Sequence, residues 1–78
     1  MTDFLYGHWA VMESLRAGRR AFEQLLVAEN TEEKGFTGEI LAKAGERGVK
    51  IRRVPRRILD DLSNGANHQG MVLRAGDY

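Results

Sequence analysis

Seven short segments of alternating strand and helix character fill this 78-residue chain, and that alternation limits its fold more than any other feature. Phe4-Leu5-Tyr6 is an apolar run closed by Gly7. His8, Val11, Met12 and Leu15 then recur at i, i+3, i+4 and i+7, the spacing of one helix face, with Gly18 where a stop belongs. Between Phe22 and Ala28, the uninterrupted Leu25-Leu26-Val27 predicts a strand buried on both faces. Residues 28–37 are polar and charged and read as a long connection. Ile40, Leu41 and Ala44 mark a second helix ended by Gly48, although Gly45 inside it costs about 1 kcal/mol relative to alanine. Val49 and Ile51 alternate with Lys50 and Arg52, as in a strand with one wet face. Pro55 suits the first position of a third helix, with Ile58, Leu59 and Leu62 as its buried stripe. After residues 63–70, which hold no large apolar side chain, Met71-Val72-Leu73 forms a last strand from which Arg74 to Tyr78 trail.

A β-α-β-α-β-α-β order implies an α/β fold, a mostly parallel sheet with helices on its faces. Right-handed crossovers bring the ends of the first three strands to one edge, where open α/β sheets place their ligands. Gly7-His8-Trp9, residues 28–37 and residues 54–57 lie there. Residues 63–70 join them if the last strand runs antiparallel.

Composition narrows the function. A hydrophobic content of 42% beside 29% charged residues belongs to a folded domain, and one this small has a modest core. No apolar run approaches the roughly 20 residues that cross a bilayer. Asp3 precedes the first apolar residues and no basic n-region is present, so a secretory signal is not expected. The absence of cysteine excludes disulfides and thiolate chemistry and fits a cytoplasmic location. His8 and His68 are the only histidines and have no third ligand at a recognisable spacing, so no metal site is expected. Neither a phosphate loop nor a nucleophile elbow is visible. Glu32-Glu33 and Asp60-Asp61 are neighbours whose side chains diverge on a helix, so they form no catalytic dyad. No catalytic residue is assigned.

Three features carry binding chemistry. The basic residues gather at Lys50, Arg52, Arg53, Arg56 and Arg57, where guanidinium forks suit phosphate; a solvated strand edge and helix face is the commoner explanation of such a charge run. In Ser63-Asn64-Gly65-Ala66-Asn67-His68-Gln69-Gly70, amides and an imidazole can read base edges or ribose hydroxyls, and the glycines allow close approach. The same residues also suit a turn-rich connection whose amides cap helix and strand ends. Gly7-His8-Trp9 opens the first helix, where backbone N–H groups favour an anion. Trp9 either stacks on an unpaired base or serves the core, and a domain this small favours the core.

Leu5-Tyr6-Gly7 followed by Ala10-Val11 and Leu15, Leu25-Leu26-Val27-Ala28, residues 44–54, Leu59-Asp60-Asp61-Leu62-Ser63, Gly65, and Asn67-His68-Gln69-Gly70-Met71 fall in an order that resembles the substrate-binding domain of SpoU/TrmH-family RNA 2′-O-ribose methyltransferases. The resemblance implies a three-layer α/β/α sandwich with a four-stranded, mostly parallel mixed sheet, similar to kink-turn-binding ribosomal proteins. It implies a substrate-binding domain over residues 1–76, a linker beginning at residues 77–78, and a catalytic domain, absent here, that binds S-adenosylmethionine. The implied partners are structured RNA, above all large-subunit rRNA around a guanosine, and that catalytic domain; neither membrane nor DNA is expected. RNA contacts then fall to Asn64, Asn67, His68, Gln69, Gly70, Arg52, Arg53, Arg56, Arg57, Lys34, Gly7 and His8. The alternatives are a free-standing kink-turn-type RNA binder and a docking module. The chain departs from the family pattern at Trp9, where a polar residue often stands, and in residues 31–38, whose only basic residue is Lys34.

Overall fold

A computed structural model of the chain describes residues 3–17, 22–65 and 67–76. Its elements are β1 (Asp3–Tyr6), α1 (His8–Ala17), β2 (Phe22–Ala28), α2 (Gly35–Glu46), β3 (Lys50–Val54), α3 (Arg56–Leu62) and β4 (Met71–Ala75). The sheet order is β1-β4-β2-β3. β1, β2 and β3 share one direction, and β4 runs against them between β1 and β2. Inserting the one reversed strand in the middle leaves β2–β3 as the only parallel pair among the described strands.

Strand alternation sorts the side chains to two faces. Leu25, Val27, Met71 and Leu73 pack with Val11, Met12 and Leu15 of α1 and Ile40, Leu41 and Ala44 of α2. Leu26, Ala28, Val72 and Val54 pack with Leu59 of α3 on the other side. The central pair β2 and β4 is therefore apolar on both faces, and the architecture is the expected three-layer α/β/α sandwich. By register, Arg52 sits opposite Leu26 and Arg53 opposite Val27, so these two neighbouring arginines serve opposite faces.

Several expectations are corrected. Trp9 is 69% exposed and outside the core. The buried stripe of α1 is set by Val11, Met12 and Leu15, and at 100° per residue Trp9 falls about 110° from its centre. Ile51 is exposed because β3 is an edge strand, and Ile58 is exposed on α3, whose fully buried residue is Leu59. α2 begins at Gly35, which shortens the preceding connection to residues 29–34. Pro55 caps α3 from outside with an extended ψ of 143°, and the helix starts at Arg56. β4 continues to Ala75, so Arg74 belongs to the sheet. Gly18, where a helix stop is expected, lies outside the described residues, as do residues 77–78, where a linker is expected.

Candidate nucleic-acid interface

The reversal of β4 meets the condition set by the sequence. Its first residue lies beside the last residues of β1 and β2, so residues 63–70 arrive at the edge where β1, β2 and β3 end. There the turn is tied to its surroundings. The Ala28 N–H donates to the Gly70 carbonyl at 3.0 Å, joining the turn to β2. The Met71 N–H donates to the His68 carbonyl at 3.0 Å. The Glu29 N–H donates to the Val54 carbonyl at 2.9 Å, linking the ends of β2 and β3.

His68 is 3% exposed and bonded at both ring nitrogens. Its Nδ1 accepts the Gly70 N–H at 2.8 Å, which leaves the proton on Nε2, and Nε2 lies 2.6 Å from Asp60 Oδ1. Its ring thus closes the turn onto α3 and is not presented at the surface, as base reading would need.

Gln69 has φ 54°, an uncommon conformation for a residue with a long side chain. That backbone directs its Oε1 to the His8 N–H at 2.9 Å. The first donor of α1, which the sequence offers to an anion, is thereby capped from within the chain. Gly7, at φ 87°, permits the approach: a Cβ there would lie 3.0 Å from Gln69 Oε1. Gly70 is similarly placed at φ 78°, with the Arg56 guanidinium and the Thr31 hydroxyl against it. Asn64 and Asn67 are exposed on the same segment.

The basic residues divide by role. Arg53 Nη1 donates to the carbonyls of Glu29 (3.3 Å) and Thr31 (3.0 Å), and Nη2 lies 3.4 Å from Glu33 Oε1. It holds the β2–α2 connection. Lys34 pairs with Glu32 at 3.2 Å, both exposed. Arg56 stands at the start of α3 beside the turn, with Arg57 exposed next to it. Arg52 lines a groove of about 430 Å³ with Val54, Pro55 and Ile58 on the α3 face. Of the predicted residues, Gly7, His8, Gln69, Gly70 and Arg56 therefore meet at one place, and Arg52 lies around the corner from them.

Phe36, which the sequence reading passed over, belongs to this region. It opens α2 as His8 and Trp9 open α1; its ring centroid is 4.9 Å from Trp9 and 6.1 Å from His8. Its position at the end of a charged connection gave no periodic signal. Among the described residues no group of three or more His, Cys, Asp or Glu side chains could hold a metal, and no helix is long and apolar enough to cross a membrane.

The family model described as RNA 2′-O ribose methyltransferase substrate binding matches residues 4–78. The chain belongs to this family. It is 37% identical over 76 residues to a Bacillus subtilis (strain 168) protein named for the TrmH family of tRNA/rRNA methyltransferases, covering 97% of this chain and 29% of the relative. An uncharacterised tRNA/rRNA methyltransferase of Mycobacterium leprae (strain TN) is 39% identical over 77 residues, 99% of this chain and 25% of that protein. The 23S rRNA (guanosine-2′-O-)-methyltransferase of Escherichia coli (strain K12) is 32% identical over 74 residues, 95% of this chain and 30% of that protein. The chain thus spans less than a third of these relatives, in keeping with a substrate-binding domain of the SpoU family and its role in RNA binding.

Proposed function

We propose that this domain recognises large-subunit rRNA and presents it to the S-adenosylmethionine-dependent 2′-O-ribose methyltransferase domain of the same enzyme, in the cytoplasm. The observation that carries the reading is the clamped turn at residues 67–70, held by His68, by Gln69, by the Ala28–Gly70 strand bond and by the Met71–His68 turn bond at the edge where β1, β2 and β3 end. A surface fixed before binding loses little entropy when RNA docks. In this reading Arg56, Arg57 and Arg52 contact phosphate, and the amides of Asn64 and Asn67 meet ribose hydroxyls or base edges. Gly7, His8, His68, Gln69 and Gly70 shape the surface, while Arg53 and Lys34 act mainly on the neighbouring connection. The Escherichia coli relative, named for methylation of a guanosine in 23S rRNA, supports the choice of rRNA.

The test is binding of a 23S rRNA fragment by Asn64→Ala/Asn67→Ala and Arg56→Ala/Arg57→Ala variants. Each pair should weaken binding by roughly tenfold or more, because a neutral hydrogen bond is worth about 0.5–1.5 kcal/mol and one to a charged group about 1.5–3 kcal/mol, and each variant removes two contacting side chains. Thermal unfolding should stay close to that of the parent chain, since all four side chains are exposed. Unchanged affinity in both variants would remove the reading. In the full-length enzyme the same changes should raise KM for RNA and leave kcat largely intact, the pattern of lost uniform binding.

A further inference from the structure

The largest side chain of the molecule stands in water at the edge where the turn is fixed. Trp9 is 69% exposed in the first turn of α1, yet it is held: the Phe36 ring lies 4.9 Å away at an interplanar angle of 44°. His8 meets the same Phe36 edge-on at 6.1 Å, and its backbone N–H is bonded to Gln69. Both aromatic helix starts follow strands that end at this edge, so the three rings form a step continuous with residues 67–70.

We propose that Trp9, braced by Phe36, is a stacking platform for one unpaired RNA base. The inference rests on the RNA-recognition reading and adds to it a base-contacting residue. Size favours a base over a protein partner. Among the described residues the other exposed large hydrophobics, Ile51 on β3 and Ile58 on α3, belong to different elements and do not extend the step into a broad apolar patch. A stable protein interface needs about 800 Å² per partner, whereas a single indole face matches a single base. Charge points the same way. Glu13, one helical turn after Trp9, is offset by Arg16 at 3.9 Å, and the exposed Glu39 follows Phe36, so these flanks carry no net positive charge to hold phosphate while a neutral base can lie on the step. The phosphates belong on the Arg56 side of the turn.

The experiment uses this chain and two RNAs, a 23S rRNA stem–loop with an unpaired purine loop and the same stem closed as a blunt duplex. Trp9 is the only tryptophan, so its fluorescence reports directly on the site. The stem–loop should quench it and the duplex should not. Trp9→Ala should weaken stem–loop binding between about fivefold and a hundredfold, the range for losing one aromatic stack, while Trp9→Phe should retain most of it. Circular dichroism should show both variants folded. If Trp9→Ala binds the stem–loop within twofold of the parent while Arg56→Ala is impaired, RNA recognition stands and the platform falls. If the parent chain binds neither RNA, both readings fall. A change in self-association with no change in RNA affinity would make the ring a protein contact and overturn the proposal.

Discussion

Removing the imidazole of His68 would leave the buried Gly70 N–H without its acceptor and Asp60 without its partner. It would also open a cavity beneath the turn, since the ring is 3% exposed. An orphaned buried donor costs about 1–3 kcal/mol, and the lost packing adds to it, so His68→Ala should destabilise by about 2–4 kcal/mol in urea unfolding. Asp60→Asn should be much milder, because an amide oxygen can still accept the Nε2 proton. In the parent chain the ¹⁵N spectrum should show the Nε2–H tautomer; an Nδ1–H tautomer would contradict the bond to Gly70. Sequence chemistry singled out this segment by its amides, imidazole and glycines. The inward direction of His68 was not legible, because an irregular turn has no period from which side-chain direction follows. Trp9 is the opposite case. Its displacement from the Val11/Met12/Leu15 stripe was already present in the helical spacing, and the general preference of small domains for buried aromatics outweighed it.

At the level of elements, the order and type of all seven segments were legible, because each carries its own period or an uninterrupted apolar run. The position of each strand in the sheet was not. Val49 and Ile51 have the same alternation, yet Val49 is 6% exposed and Ile51 is 43% exposed. What separates them is tertiary: Val49, just before β3, packs in the core with Ile40, Leu41 and Ala44 and donates its N–H to the Ala44 carbonyl at 2.9 Å, while Ile51 is left exposed on the edge strand. Leu25 is on the central strand β2 and fully buried against α1 and α2. Leu25→Ala should therefore cost about 2–5 kcal/mol, and Ile51→Thr should stay within about 0.5 kcal/mol of the parent in chemical denaturation. The charges at Lys50, Arg52 and Arg53 also have a structural use: a charged edge resists pairing with another strand.

For the whole molecule, a net charge of +1 says little about RNA affinity; what matters is how many cations phosphate can reach. Counting by sequence would enlist Lys34, Arg52, Arg53, Arg56 and Arg57. Arg53 is committed to the carbonyls of Glu29 and Thr31 and to Glu33, and Lys34 stands beside Glu32, so three arginines remain as principal phosphate contacts. Each neutralised phosphate contributes about −0.7 to −0.9 to the slope of log K against log salt, so three predict a slope between about −2 and −3. All five would give about −3.5 to −4.5. Between 50 and 200 mM salt the smaller set loses about 20- to 40-fold in affinity. Arg53→Ala separates the two cases independently. If Arg53 braces the β2–α2 connection, its loss should lower stability and leave the salt slope unchanged. A slope shallower by about one unit, with unfolding unaffected, would instead return Arg53 to the phosphate contacts.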